Sequence, residues 1–243
     1  MRKLQYPLVL TILSFGLLTT GVANADPIRV DQLSPITGGG QGCCGGADLA
    51  QTFTVGITGI LRTVALPLST PDVRGLSDDF SGQLGIQIRP TLAGVPSASV
   101  LAETILSKSS LPSVNTPGVR FEFTTLFSGL NIPIVEGTQL AIVLSNVGHN
   151  GQNIRWALDG TASYTGGAAY RQAREDTGID GDQGPVIGPW LADPNPFDFA
   201  FFTLVEAPAI VAPTPEPGTV LLLGTGILWL ARRGRTGAGA ERT

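Results

Sequence analysis

The stretch Val119-Arg-Phe-Glu-Phe-Thr124 alternates apolar and polar side chains over six residues. Neighbouring side chains of an extended strand point to opposite sides, so the valine and the two phenylalanines would share one face. The arginine, the glutamate and the threonine would then face solvent. This alternation predicts a half-buried β-strand of an antiparallel sheet.

Similar short runs, rich in Val, Ile, Thr and Phe, follow one another from Leu49 onward and are separated by Gly, Pro, Asn, Asp and Ser. Such spacing is typical of successive strands, and neither a long amphipathic helix pattern nor a fixed-period repeat competes with it. We therefore predict an all-β fold, an antiparallel and jelly-roll-like β-sandwich over residues 49–206. The other predicted strands are Leu49–Val55, Leu61–Leu68, Gln83–Arg89, Ser99–Ile105, Gln139–Ser145, Asn153–Leu158, Ala168–Gln172 and Phe197–Val205.

The amino terminus has the pattern of a secretory signal peptide. Arg2 and Lys3 precede an apolar stretch, and the small-residue sequence Ala23-Asn-Ala25 follows it. These features predict a signal peptide over residues 1–25, cleaved before Asp26, and hence an exported protein. Residues 26–48 are rich in glycine and are predicted to form a lead-in to the sandwich.

Charge limits the kinds of partner. Residues 26–211 contain nine Lys/Arg and seventeen Asp/Glu, a formal charge of −8. An acidic surface without a basic patch repels phosphates, so nucleic acid is not expected as a partner. The length suffices for one domain with a core of its own.

Cys43 and Cys44 are adjacent, and glycine fills six of the nine positions from Gly38 to Gly46. Alpha carbons across a trans peptide lie ~3.8 Å apart, below the usual spacing of a disulfide. A bond between neighbours would need a strained ring and would close no loop. We expect the pair on a flexible loop, reduced or linked to another molecule, where a redox or cross-linking role is open. Two thiols with no histidine nearby make a poor metal site.

Catalytic motifs are sparse in this sequence. His149 is the single histidine and lies in a turn-rich connection, where an exposed loop residue is expected. No Gly-x-Ser-x-Gly elbow or phosphate-binding loop accompanies it. A pair of carboxylates is the remaining possibility for catalysis, because a glycoside hydrolase uses two of them. Glu103, Glu122 and Glu136 are the candidates for such a pair. We predict a protein that is not an enzyme, with a secreted glycoside hydrolase as the alternative.

The densest group of carboxylates is Glu175, Asp176, Asp180 and Asp182, on a glycine-containing stretch. Hard oxygen ligands on such a loop suit calcium. The spacing differs from the Asp-x-Asp-x-Asp-Gly loop, and a bidentate glutamate at the twelfth position is missing. Two interpretations of this segment therefore remain, a calcium-binding site and a solvated acidic loop.

Aromatic residues lie near the same region. Tyr164 and Tyr170 flank a Gly-Gly turn, and Trp190 follows Gly188-Pro189. An aromatic ring with a polar tip meets one face of a pyranose well, so these three residues are candidate sugar-binding groups. The competing interpretation is that they complete the core at strand ends.

The carboxyl terminus contains three consecutive signals. Pro213, Pro215 and Pro217 exclude helix and predict an extended tether. The apolar run Thr219–Ala231 has thirteen residues, so a helix there would reach only ~20 Å, short of the ~30 Å hydrocarbon core. An arginine cluster follows and would lie at the cytoplasmic headgroups. An ordinary carboxyl-terminal anchor is the alternative to a sorting signal.

The order Pro-Glu-Pro, Leu/Gly-rich run and Ala231-Arg-Arg-Gly-Arg235 is similar to the PEP-CTERM sorting signal of exported Gram-negative proteins, a motif also labelled an ice-binding protein C-terminal domain without implying ice binding. The resemblance implies processing by exosortase, a membrane-embedded transpeptidase-like enzyme. By this resemblance, the recognised triplet and the basic stop are Pro215, Glu216, Pro217, Arg232, Arg233 and Arg235. The linker spans residues 207–218, the sorting helix and stop 219–235, and the tail 236–243, which is longer than the family's usual end.

Members of that family are associated with extracellular polysaccharide and with biofilm or floc formation. The body, opening with Ala50-Gln-Thr-Phe-Thr-Val55, also resembles lectin-like or carbohydrate-binding jelly rolls in pattern. The resemblance implies a transient inner-membrane intermediate and a final place at the cell surface or in the extracellular matrix. The expected role is carbohydrate binding or structural, without a cofactor unless calcium binds.

Overall fold

The computed structural model describes residues 27–44, 46–70, 83–112, 121–147, 154–176 and 183–208. Within these residues the chain forms strands that pair antiparallel, one 3-10 turn at Lys108–Ser110 and no α-helix. The prediction of an all-β, antiparallel fold is confirmed. The predicted signal peptide, His149 and the carboxyl-terminal sorting segment lie outside the described residues.

The strands, in chain order, are β1 (Ile28–Ser34), β2 (Gly40–Cys43), β3 (Ala47–Thr54), β4 (Gly59–Leu66), β5 (Leu68–Ser69), β6 (Gln83–Leu92), β7 (Val95–Pro96), β8 (Ala102–Ser107), β9 (Thr125–Ile134), β10 (Gln139–Val147), β11 (Ile154–Asp159), β12 (Ala169–Asp176), β13 (Gln183–Val186), β14 (Leu191–Ala192), β15 (Asp198–Phe199) and β16 (Phe201–Glu206).

The strands form three sheets. Sheet I has the order β1-β16-β4-β9. Sheet II has the order β13-β12-β3-β10-β6-β7, with β14 also paired to β12 and β8 to β6. Sheet III has the order β15-β11-β2, with β5 also paired to β11.

Sheets I and III make up one layer, because two chain segments pass directly from one to the other. β4 continues into β5 through Pro67, and β15 continues into β16 through Ala200. At the junction Ala157 donates its N–H to the Pro67 carbonyl at 3.1 Å, and Ala200 donates to the Ala157 carbonyl at 2.9 Å. Sheet II packs against this layer, which gives a β-sandwich-like arrangement.

The main core lies between the two layers. It takes alternate side chains from each strand, as the period-two pattern requires. Its largest fully buried side chains are Trp156, Phe53, Phe199, Phe201, Leu61, Leu66, Leu68, Leu84, Ile86, Ile88 and Ile142. This cluster includes residues of all three sheets and therefore holds the layers together.

The predicted strand Val119–Thr124 is wrong over its described part, residues 121–124, which form no strand. The observed strand is β9, which begins at Thr125, one residue after the end of the predicted strand. Phe123 instead packs edge-on against Phe202 with ring centroids 5.1 Å apart. The Phe121 ring fills the space where a side chain at Gly40 would lie. The alternation therefore reflects a segment whose aromatic rings cover sheet surfaces.

β9 was missed because its alternation is interrupted. Its buried positions are Thr125 and Phe127, then Leu130, Ile132 and Ile134, so the parity changes around Gly129. Gly129 has a φ of 75°, a conformation that favours glycine, and the register with β4 shifts at the same level. A β-bulge therefore keeps both halves of the strand facing the core.

The predicted lead-in, residues 26–48, contributes two strands to the fold, β1 to sheet I and β2 to sheet III. The expectation for the cysteines is corrected. Cys43 and Cys44 are joined by a disulfide with alpha carbons 3.7 Å apart, and both are buried. Cys44 adopts a φ of 73° and donates its N–H to the Ala47 carbonyl. The pair therefore forms a buried turn between β2 and β3, and neither sulfur is available for cross-linking to another molecule.

Candidate functional site

The outer face of sheet II, opposite the core, carries one row of side chains that crosses five strands. Tyr170 of β12 is paired in register with Ala50 of β3, and Ala50 with Val143 of β10. Val143 is paired with Gln87 of β6, and Gln87 with Glu103 of β8. Residues paired in register point to the same face of a sheet. We call this set the cross-strand row.

An insertion at the edge of sheet II carries Trp190, which packs against the cluster of Ala50, Ala141 and Val143. β13 and β14 both pair with β12, and residues 187–190 lie between them as an insertion. Gly188 turns the chain with a φ of 76°. The turn is held by two bonds: Gln172 donates to the Gly188 carbonyl, and Ile187 donates to the Ala173 carbonyl, each at 2.8 Å. The insertion therefore brings the indole onto the outer face of sheet II.

Trp190 and Tyr170 each pack against the same small apolar floor. The floor consists of Ala50, Ala141 and Val143, each with an exposed fraction of 0%. Both aromatic rings remain partly exposed. The floor residues are small, so the rings lie close to the sheet and leave one side towards solvent.

The other end of the row is a chain of hydrogen bonds. Arg89 donates its Nε to Gln87 Oε1 at 2.7 Å and its Nη1 to the Ser97 carbonyl at 3.2 Å. Gln87 donates its amide to Glu103 Oε1 at 2.6 Å. Burial lowers the pKa of Arg89, and the charges of Asp48 and Glu103 act against that change. These contacts fix the orientation of Gln87 and Glu103 before any ligand arrives.

A salt bridge on the same face fixes the edge of the sheet. Arg174 of β12 contacts Asp48 of β3 through two bonds, Nε to Oδ1 at 2.6 Å and Nη2 to Oδ2 at 3.2 Å. Arg174 also donates to the Gly184 carbonyl of β13 at 3.2 Å. The pair is largely buried and bidentate, so it ties β3, β12 and β13 together near the aromatic rings.

Tyr164, the third predicted sugar-binding residue, is not part of this site. Its ring packs edge-on against Phe201 of the main core at 5.2 Å, and its hydroxyl donates to Gln32 Oε1 at 3.0 Å. Burial raises the pKa of Tyr164. For this residue the competing interpretation, completion of the core, matches the contacts, whereas Tyr170 and Trp190 come together on the opposite side of sheet II.

The candidate calcium ligands lie only partly in the described residues. Glu175 is exposed near the end of β12, and Asp176 is the last residue of that strand. Asp180 and Asp182 lie outside the described residues. Across the described ranges, no three His, Cys, Asp or Glu side chains are grouped so as to hold a metal ion. Calcium binding at this segment stays a prediction.

No protein-family model matches the chain. No curated protein matches it at a significant level either. In the part of the chain that the structure describes, there is no helix of the length and apolarity needed to cross a bilayer.

Two buried aspartates form a polar cluster that sequence reasoning missed. Asp159 of β11 is paired in register with Asp198 of β15. Burial alone would raise the pKa of Asp159, but hydrogen bonds from Ser163, Thr161 and Thr37 hold it well below its ordinary value. Burial raises the pKa of Asp198, and the charge of Asp159 adds to this effect. The sequence Asp159-Gly-Thr-Ala-Ser163 is typical of an aspartate that accepts hydrogen bonds from the turn that follows it, so this role of Asp159 could have been predicted from the sequence.

The carboxylates considered for hydrolysis lie on separate elements. Glu103 belongs to β8, Glu122 precedes β9, and Glu136 lies in the turn after β9. A cavity of about 200 Å³ lies elsewhere, lined by Leu106, Ser110, Leu111, Pro112, Thr124, Thr125 and Leu126. This lining offers hydroxyl groups but no acid or base, so it does not supply the pair that glycoside hydrolysis needs.

Proposed function

We propose that this protein is a non-enzymatic, exported β-sandwich protein of the jelly-roll type that binds extracellular polysaccharide. The observation that carries the proposal is that Tyr170 and Trp190 are both partly exposed and pack on the same apolar floor on the outer face of sheet II. Two rigid, partly exposed rings beside oriented polar groups are the means by which proteins bind pyranose rings. A purely structural role in the matrix is the version of this proposal that requires no ligand.

The route to the cell surface follows from the two ends of the sequence. The signal-peptide pattern supports export, and the resemblance to PEP-CTERM signals supports sorting by exosortase through Pro215–Pro217 and Arg232–Arg235. In this proposal the chain passes through an inner-membrane intermediate and ends at the surface or in a biofilm matrix.

The alternative, a secreted glycoside hydrolase, has one feature in its favour. Asp159 and Asp198 are neighbouring carboxylates whose pKa values are moved in opposite directions, as in acid and base pairs. Their burial argues for a structural role, since Asp159 has an exposed fraction of 0% and both its oxygens accept hydrogen bonds. The binding proposal is therefore preferred.

Binding is tested by changing the two rings. We expect Trp190→Ala and Tyr170→Ala each to weaken binding to the host's purified exopolysaccharide by about tenfold, because each removes a stacking surface of roughly 1–2 kcal/mol. Affinity gel electrophoresis with the polysaccharide in the gel measures the change. Phe202→Ala is the matched control, because Phe202 is a partly exposed aromatic residue on sheet I.

Equal retardation of the wild type and both variants would contradict a role for these rings. Release of reducing sugar by the wild type, lost in Asp198→Asn, would instead support the hydrolase. Retention of native circular dichroism by each variant is the condition for interpreting either result.

Sorting is tested by the intact mass of the protein from the native host. We expect the form in the medium to end near residues 215–218, because the prolines in the sequence favour an extended chain, which a processing enzyme can bind. Mass spectrometry of the envelope and medium fractions measures this. A chain that runs through Thr243 in the membrane fraction, with no shorter form, would mean a permanent anchor.

A further inference from the structure

The cross-strand row has a length and a polarity that narrow the class of ligand. Neighbouring strands lie about 4.8 Å apart, so the four steps from Tyr170 on β12 to Glu103 on β8 span roughly 19 Å, enough for about four pyranose rings. The row runs perpendicular to the strands. A ligand that uses all of it is therefore an extended chain, not a single sugar.

The two ends of the row differ in chemistry. Trp190 and Tyr170 supply apolar ring faces at one end. Gln87 and Glu103 supply oriented amide and carboxylate groups at the other, held there by Arg89. Ring faces bind the C–H face of a pyranose, while a carboxylate accepts hydrogen bonds from hydroxyl groups. The arrangement suits a hydroxyl-rich chain whose successive units meet different surfaces.

Charge argues against an acidic polysaccharide. The exposed end of the row is the Glu103 carboxylate, and residues 26–211 carry a formal charge of −8. The cations of this face lie near carboxylates: Arg174 is paired with Asp48, and the charges of Asp48 and Glu103 act on Arg89. A uronate or sulfate group at the polar end would meet a like charge.

We infer that the outer face of sheet II binds an internal segment of a neutral polysaccharide, about four sugar units long, laid across β12, β3, β10, β6 and β8. The inference rests on the proposed function. It adds the polar end, Gln87 and Glu103, as the part of the site that makes the affinity depend on the length of the sugar chain. Trp190 and Tyr170 hold one half of the segment. Gln87 and Glu103 hold the other half.

The test uses oligosaccharides of two to eight units. They are prepared by partial hydrolysis of the host's purified exopolysaccharide and separated by size. We expect the affinity of the wild type to rise about tenfold from the disaccharide to the tetrasaccharide and to change less than about twofold beyond it. Isothermal titration calorimetry measures each length.

The polar end is tested by Glu103→Ala and Gln87→Ala. We expect each to lower the tetrasaccharide affinity by about tenfold, since each removes oriented hydrogen-bonding groups, and to leave the disaccharide affinity within about twofold. Trp190→Ala should weaken both lengths. Glu136→Ala, an exposed carboxylate in the turn after β9, is the matched control and should weaken neither.

Three outcomes count against the inference in different ways. Binding that does not depend on length, or that Glu103→Ala leaves unchanged at every length, would overturn the extended site while leaving sugar binding in place. Stronger binding of a carboxylated polysaccharide than of its carboxyl-reduced form would overturn the neutral class. No binding of the exopolysaccharide by the wild type would overturn both this inference and the proposed function.

Discussion

Replacing Trp156 with alanine is expected to lower the free energy of unfolding by about 3–5 kcal/mol, the range for deletion of a large buried aromatic side chain. The side chain has an exposed fraction of 0%. It stacks on Phe199 with ring centroids 4.4 Å apart, and its Nε1 donates to the Ala200 carbonyl at 2.8 Å. Because Ala200 is the junction of sheets III and I, the loss would loosen both. Urea unfolding followed by circular dichroism measures the change.

Trp156→Phe separates packing from hydrogen bonding and remains informative if the alanine variant does not fold. It keeps most of the stacked surface and leaves the Ala200 carbonyl without its donor, so we expect a loss of about 1–2 kcal/mol. Leu92→Ala is the control, since Leu92 is highly exposed in the β6–β7 hairpin, and should change stability by less than about 0.5 kcal/mol. A loss below about 1 kcal/mol for Trp156→Ala would contradict the central role of this ring.

Strands with one face on the core were predictable from alternation alone. In β6 and β16 the buried residues, such as Leu84, Ile86 and Ile88 or Phe201, Thr203 and Val205, recur at every second position. Period-two spacing leaves a strand only one face on which to bury them. The antiparallel all-β class therefore followed from the sequence, because period-two runs recur along the chain with no long amphipathic helix pattern between them.

Strands with an internal irregularity were not predictable in the same way. β9 changes parity at Gly129 and contains Pro133, so neither half presents a long alternating run. β2 consists of glycine, glutamine and cysteine, and its partner is β11, far along the sequence. Pairing of this kind is decided by tertiary contacts that local pattern does not contain.

The site was only half accessible to sequence reasoning. Trp190 stood out because a tryptophan after Gly-Pro in a turn-rich region is an unusual exposed ring, and the structure packs it against the same apolar floor as Tyr170. The polar end was invisible, because Gln87 and Glu103 join the row only through the registers of β10 with β6 and of β6 with β8. Register depends on which strands pair, and the sequence does not state that.

Asp159→Ala is expected to lower the free energy of unfolding by about 3–5 kcal/mol, the cost of removing one partner from a buried charged network. Oδ1 accepts bonds from the Thr37 hydroxyl at 2.7 Å and from the Thr161 backbone N–H and hydroxyl. Oδ2 accepts the Ser163 N–H at 3.0 Å and its hydroxyl at 2.6 Å. The carboxylate therefore fixes the turn after β11 and ties it to the segment before β2. Thermal and urea unfolding measure the loss.

The same carboxylate predicts a dependence on pH. Its hydrogen bonds hold the pKa of Asp159 below its ordinary value of about 4 for an unfolded chain. A group with a lowered folded pKa stabilises the protein fully above its unfolded pKa, and that contribution is lost as the pH falls from about 4 towards the folded pKa. Asp198 acts in the opposite sense, because burial raises its pKa and its contribution falls as the pH rises.

Comparison of the wild type with Asp159→Asn isolates the titration of Asp159, since the amide keeps the side-chain shape and one acceptor oxygen but carries no charge. The difference in unfolding free energy between the two should be constant above about pH 5 and should shrink between pH 4 and pH 2. Glu136→Ala, which removes an exposed carboxylate, should follow the wild-type curve throughout. A difference that does not shrink at low pH would mean that the hydrogen bonds to Asp159 do not depend on its charge. The loop would then be held by the geometry of the acceptors alone.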